Sequence, residues 1–252
     1  MLRLLLEAAP QAALMSYPEG SLPIHLAAMA PDPACSAAMV RQLLDAAPAA
    51  AAARAENVSG YTALHLAAMR ANAAAAAALV AAAPQAAGMR AGDNDRTPLE
   101  MALSAAARAA LWEAHPEQHE EAENDDLPPP TSALNIKTAR PLLAVVPPSV
   151  SLPLLVQQGD LTRPLFSEVV EHWPLTAAQW EQVPAPCPCL GTALPAVLQR
   201  SPAEAAALVA RLPAADSARL RTFALALRRS QRRFDVYLPA ELADRILCLF
   251  DC

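Results

Sequence analysis

The sequence predicts an all-α protein made of repeated helical units. Apolar residues make up 54% of the chain but aromatic residues only 4%, and this alanine-rich composition favours close-packed helices over sheets. The chain contains 25 Pro and 6 Gly, which favours many short helices that begin at proline rather than glycine-rich loops. Short strings also recur along the chain, which is typical of stacked repeats.

The first recurring string contains a proline that follows two alanines. Residues 5–13 read Leu-Leu-Glu-Ala-Ala-Pro-Gln-Ala-Ala, and close copies follow at 43–51 and 79–87. The N-terminus is therefore expected to be part of a repeat rather than a targeting peptide. Because the first copy starts so early, we expect a chain that begins inside a repeat, as a truncated gene model or a fragment would.

The second recurring string contains a histidine. It reads Leu-Pro-Ile-His-Leu-Ala-Ala-Met at 22–29 and Thr-Ala-Leu-His-Leu-Ala-Ala-Met at 62–69, with a looser copy at 97–102. The alanines let one helix approach another closely, and the leucines supply apolar surface for burial. One unit cannot bury that surface alone, so at least about three units must stack.

These strings resemble the ankyrin repeat, whose signature is Thr-Pro-Leu-His-x-Ala in a unit of about 33 residues with a β-turn and two helices. The central copy matches at Thr62, Leu64, His65, Ala67 and Ala68. Gly60 precedes it where the family turns its hairpin. Leu22 replaces the threonine in one copy, Ala63 the proline in another, and Glu100 the histidine in the last, which suits a closing unit.

The resemblance implies a short ankyrin-type α-solenoid over residues 1–112. We expect a second half-unit at 1–20, full copies at 21–59 and 60–95, and a degenerate closing copy at 96–112. It also implies that His25 and His65 bond neighbouring backbone and steady the hairpin turns, which is a structural role rather than a catalytic one.

Residues 113–140 are expected to form an acidic, Pro-rich linker. Glu, Asp, His and Pro dominate 113–130, which ends in three prolines, and such a stretch cannot bury enough apolar surface to fold. Residues 141–252 are then a second small helical domain of unknown family. Leu-Pro recurs there at 152, 194 and 238, which predicts helices that begin at proline.

The ankyrin resemblance implies a non-enzymatic scaffold that binds another protein through its hairpin tips and concave helical face. At the tips, the positions implied are Tyr17, Glu19, Asn57, Tyr61, Asp93, Asn94, Asp95 and Arg96. On the concave face, they are Met29, Met69 and Arg70. Turns favour Asn, Asp and Gly in any case, so a purely structural role for the tip residues is the alternative.

Several other function classes lack support in the sequence. A net charge of −6 and a pI near 5.4 do not favour nucleic acid or an anionic membrane as partner, and the apolar stretches do not predict membrane insertion. Five Cys without secretory context predict reduced thiols. We therefore expect a soluble cytoplasmic or nuclear monomer that is not an enzyme and uses no cofactor or metal.

A cluster of arginines is the main candidate site in the second half. Its members are Arg228, Arg229, Arg232 and Arg233. On a helix this spacing places all four in one basic patch. The patch is predicted to contact an acidic partner or the chain's own acidic segment 113–126, unless it is a solvated face.

Two alternative functions remain open from the sequence. Cys187 and Cys189, together with Cys248 and Cys252, form a candidate four-thiolate metal site, although one residue between the first pair is closer than usual; His115 and His119 are a second candidate pair. Residues 238–247 also resemble the opening of an F-box, which implies a substrate adaptor of a cullin-type ubiquitin ligase. An ordinary amphipathic helix after a proline has the same appearance.

Overall fold

The computed structural model describes residues 2–17, 20–53, 60–114 and 131–234, without the side chains of Trp112 and of 227–234. Within these ranges it contains thirteen α-helices and no β-strand, which confirms the all-α prediction. The chain divides into two compact units, Met1–Pro147 and Pro148–Cys252. None of the described helices is long and apolar enough to cross a membrane.

The first unit contains seven of these helices, arranged as two rows. They are α1 (Leu2–Ala8), α2 (Pro23–Met29), α3 (Pro33–Ala46), α4 (Ala63–Met69), α5 (Ala73–Ala82), α6 (Pro98–Ala114) and α7 (Ser132–Leu143). Helices α2, α4 and α6 pack in series as the first-helix row, and α1, α3, α5 and α7 pack in series as the second-helix row. Each first helix also packs on the second helix that follows it.

The repeated alanine-proline string ends the second helices in the same way each time. Ala9, Ala47 and Ala83 have φ/ψ of −145/74°, −148/78° and −145/75°. Proline disfavours the α conformation of the residue before it, so each alanine leaves the helix at this point. A 3₁₀ turn then begins at the proline, and each turn buries one or two alanines, namely Ala13, then Ala50 and Ala51, then Ala86 and Ala87.

Helix α7 lies where the sequence predicted part of the linker 113–140. Thr131 caps it by accepting a hydrogen bond from the Leu134 N–H, and the helix packs on α5 and α6 with Leu142 and Leu143 fully buried. It is therefore the second helix of the third pair, and the closing copy extends well past residue 112. Residues 115–130, which hold most of the acidic stretch, lie outside the described residues.

Glu113 fixes the geometry between α6 and α7. Its carboxylate accepts hydrogen bonds from the Ser132 N–H at 2.9 Å and from the Ser132 hydroxyl at 2.7 Å. These two bonds hold the pKa of Glu113 below its usual value. Glu113, which the sequence placed in the linker, therefore links α6 to α7 by hydrogen bonds.

The second unit contains α8 (Pro148–Gln157), α9 (Phe166–His172), α10 (Ala177–Gln182), α11 (Leu194–Arg200), α12 (Pro202–Val209) and α13 (Ala214–Phe234). The Leu-Pro strings at 152 and 194 are not equivalent, because Pro153 lies inside α8 whereas Leu194 begins α11. The similar elements are α9 and α11, which have 7 residues each and follow 3₁₀ segments.

Arg200 holds the end of α9 against the start of α12. Its guanidinium donates to the carbonyl oxygens of Val170 and Glu171 at 2.9 and 3.1 Å, and these are among the last carbonyls of a helix, which have no partner within it. The same group pairs with Glu204 at 2.8 Å. Arg211 acts similarly, donating to the Trp180 carbonyl oxygen at 2.6 Å.

Candidate protein-binding surface

The buried histidines connect each helix pair to the next hairpin. Nδ1 of His65 lies 3.2 Å from the Thr62 nitrogen and 2.8 Å from the Thr62 hydroxyl oxygen, while Nε2 lies 3.1 Å from the carbonyl oxygen of Arg96. A carbonyl oxygen only accepts hydrogen bonds, so Nε2 carries the hydrogen and Nδ1 is the acceptor. His65 therefore caps the start of α4 and also donates a hydrogen bond to the next hairpin tip.

His25 makes the same two kinds of contact one unit earlier. Nδ1 accepts from the Leu22 N–H at 3.0 Å, and Nε2 donates to the Ala53 carbonyl oxygen at 3.1 Å. Burial lowers the pKa of His25, against a smaller opposing effect of the Ala53 carbonyl. A neutral imidazole suits this position, because a protonated Nδ1 no longer accepts the Leu22 hydrogen bond.

Glu100 takes over only half of this role. Its carboxylate accepts from the Thr97 N–H at 2.7 Å, as the histidines do at their own helix starts. A carboxylate has no hydrogen to donate to the carbonyl of another hairpin. Glu100 instead pairs with Arg90 at 3.4 Å on the same hairpin.

The best-described tip spans residues 91–96. Ala91 and Arg96 form an antiparallel bridge, and the turn between them uses positive φ values at Gly92 (76°) and Asp95 (47°). Asp93, Asn94, Asp95 and Arg96, the contact residues that the ankyrin resemblance implied, are exposed. Arg90 was not identified from the sequence, yet it donates to the Asp95 carbonyl oxygen at 2.6 Å and so braces the tip.

Tyr61 is less available than the sequence implied. It is half-buried, its ring centroid lies 5.8 Å from that of His65, and a Cβ added at Gly92 would collide with its phenol. Its side chain therefore packs against the following tip, which gives it a structural role.

The first tip is described in part. The Tyr17 N–H donates to the Ser21 carbonyl oxygen at 2.9 Å, and the Gly20 N–H donates to the Tyr17 carbonyl oxygen at 2.8 Å. Tyr17 itself is 51% exposed, as a contact residue requires. Glu19 and Asn57 lie outside the described residues.

The first-helix row presents exposed apolar side chains and exposed arginines. Met29 and Met69 end α2 and α4 at equivalent positions, and they are 38% and 43% exposed. Arg70 is exposed at the end of α4, and the Arg96 guanidinium donates to the Ser104 hydroxyl of α6 at 3.1 Å. Leu26 is exposed too, although no sequence pattern pointed to it. We call Leu26, Met29, Met69, Arg70 and Arg96 the first-helix face.

The candidate thiol site is only partly described. Cys187 is fully buried, with Sγ 4.0 Å from the Arg163 carbonyl oxygen, and burial raises its pKa. Cys189 is half-buried, whereas Cys248 and Cys252 lie outside the described residues. Across the described part of the chain, no three His, Cys, Asp or Glu side chains are grouped as metal ligands.

The other sequence candidates fall at or beyond the end of the described residues. The backbone of α13 is helical through the arginine cluster, but the side chains of Arg228, Arg229, Arg232 and Arg233 are not described. His115, His119 and the F-box-like stretch 238–247 also lie outside the described residues.

No family model, curated protein or solved structure matches this chain.

Proposed function

We propose that the first unit is an ankyrin-type repeat module that binds another protein and carries out no catalysis. The observation that carries this proposal is the hydrogen bond from His65 to the Arg96 carbonyl oxygen of the next tip. A histidine that joins one unit to the following hairpin is what the ankyrin resemblance implies. The two rows of helices support the same interpretation, since a stack of paired helices leaves the ends of the first helices and the tips exposed.

The partner we propose offers apolar side chains and carboxylates to the first-helix face. Met29 and Met69 supply flexible apolar contacts, and Arg70 and Arg96 lie on the same row. Binding surfaces of this kind have an apolar centre and a polar rim, and a few central residues contribute most of the affinity. The reduced thiols lead us to place this interaction in the cytoplasm or nucleus, with the chain as a monomer.

An affinity-capture experiment tests the apolar part of this face. The full chain, its Met69→Asp variant and its Leu134→Asp variant are compared by quantitative mass spectrometry of the proteins that each retains. Leu134 is the matched control, because it is 46% exposed against 43% for Met69 but lies on α7 in the second-helix row. We expect the partner to be lost at least about tenfold with Met69→Asp, as for a central contact residue, and kept with Leu134→Asp.

A second arm tests the charged part. Arg70→Glu and Arg96→Glu are expected to weaken capture of the same partner, whereas Arg41→Glu, an exposed arginine of α3, leaves it unchanged. Equal capture by all of these variants would refute the surface assignment. A partner lost equally with the control variants would indicate a general folding defect rather than a binding face.

A further inference from the structure

A groove lies along the start of α13 in the second unit. It has a volume of about 460 Å³ and a mostly apolar lining. Its lining includes Pro188, Thr192, Leu212, Leu220 and Phe223. The lining includes one ion pair, Asp216 with Arg219 at 3.4 Å.

Phe223 leaves much apolar surface of this groove open to water. Its side chain is 57% exposed, and Leu225 on the same helix is 40% exposed, while Ala224 between them is fully buried. Single exposed apolar residues are common on protein surfaces. An exposed phenylalanine that continues into an apolar groove is a contiguous patch, and such patches mark places where another element docks.

We propose that this groove is the docking site of the chain's own C-terminal segment, residues 238–250. The segment places Leu242, Ile246, Leu249 and Phe250 at positions i, i+4, i+7 and i+8. On a helix that begins after Pro239, this spacing puts all four on one face. This apolar face of the segment matches the apolar lining of the groove.

The length of the chain allows the segment to reach the groove. Phe223 precedes Phe234, the last residue of α13, by 11 positions, which is about 16 Å along a helix. Residues 235–238 provide a connection of ordinary length between antiparallel helices. A helix from 240 to 250 spans about 16 Å in the reverse direction, so its Leu249–Phe250 end arrives beside Phe223.

The charges of the two elements are complementary. The sequence of α13 contains six Arg and one Asp, whereas residues 238–252 contain three acidic residues and one Arg. Arg219 and Arg221 are exposed on the described part of α13. This attraction favours the chain's own segment over a second copy of α13, whose arginines would repel those of the first.

Hydrogen exchange of the full chain tests the proposal. In Leu242→Ser/Ile246→Ser, peptides covering 188–194 and 212–224 are expected to exchange on the order of tenfold faster than in the wild type. Ala240→Ser/Cys248→Ser is the matched control, since it changes residues away from the apolar face of the same helix without altering its charge, and it should exchange as the wild type does. The protection in the wild type should be the same over a hundredfold range of protein concentration, as for a contact within one chain.

A labelled peptide of residues 236–251 provides a second measurement. It should bind the Leu242→Ser/Ile246→Ser chain, whose groove is free, and should bind the wild type at least about tenfold more weakly, because the attached segment competes at high effective concentration. Phe223→Ser should abolish this binding. Unchanged exchange in the double variant, or equal peptide binding to both chains, would overturn the proposal. Protection that grows with protein concentration would overturn it in favour of a second copy, and protection that appears only with an added protein would favour a separate partner.

Discussion

Replacing His65 by alanine tests whether one side chain joins consecutive helix pairs. The imidazole is fully buried and bonds both the Thr62 amide and the Arg96 carbonyl oxygen, 31 residues further along the chain. The alanine variant removes these bonds and leaves both backbone groups without this partner. The effect should therefore extend from α4 to the tip at 91–96.

The size of the loss follows from two contributions. The Thr62 amide is buried, and a buried backbone group left without a hydrogen bond costs about 1–3 kcal/mol. The Arg96 carbonyl oxygen keeps its bond from the Ala91 N–H at 2.9 Å, so it loses only one of two bonds. The cavity left by the ring adds to this cost, in part offset as neighbouring side chains relax. We expect His65→Ala to lower the free energy of unfolding by about 2–4 kcal/mol, which is a large share of the stability of an ordinary domain, about 5–15 kcal/mol.

Urea unfolding followed by circular dichroism measures the loss, and hydrogen exchange locates it. Faster exchange is expected in peptides covering 62–71 and 91–97, with little change in the second unit. His172→Ala is the control, since that histidine is exposed and its Nδ1 bonds the Glu168 carbonyl oxygen within its own helix. A loss below about 1 kcal/mol for His65→Ala, or one equal to that of His172→Ala, would refute the connecting role.

Three further outcomes are expected. Gly92→Ala should destabilise the chain by about 2–3 kcal/mol, because the φ of Gly92 is 76° and an added Cβ meets the Tyr61 ring. Gly88 has open space around its added Cβ, so Gly88→Ala should change the free energy of unfolding by less than about 0.5 kcal/mol in urea titrations. Because burial lowers the pKa of His25, the unfolded chain takes up a proton near pH 6.5, before the folded chain does. The urea midpoint should therefore be constant above that pH and fall below it. A His25→Gln variant whose urea midpoint falls just as steeply with pH would contradict this. Cys187 is buried and its pKa is raised. In the folded chain it should therefore react with iodoacetamide at least about tenfold more slowly than exposed Cys35, as mass spectrometry of labelled peptides can measure. Equal rates would show that Cys187 is accessible.

The candidate surface was predicted unevenly. Tyr17, Met69 and Arg70, which the ankyrin resemblance assigned to the contact surface, are exposed, and their role in binding stays a prediction. The sequence could not identify Arg90, whose contact with the Asp95 carbonyl depends on how the turn folds back. It also placed Tyr61 among the contact residues, although packing against Gly92 covers part of that side chain.

The sequence by itself determined the helical class and the ends of the second helices. These are local properties: composition sets helix propensity, and a proline removes the preceding residue from the α region wherever it occurs. Ala9, Ala47 and Ala83 therefore share one conformation.

Only the tertiary structure decided where the first unit ends. Ser132–Leu143 carries a short apolar stripe and an internal proline, Pro141, so its sequence alone did not distinguish a packed helix from the end of a linker. Burial of Leu142 and Leu143 against α5 and α6 makes it the second helix of the last pair. The physical reason is that helices of this length are marginal in isolation, and the packing of one apolar face supplies most of their stability.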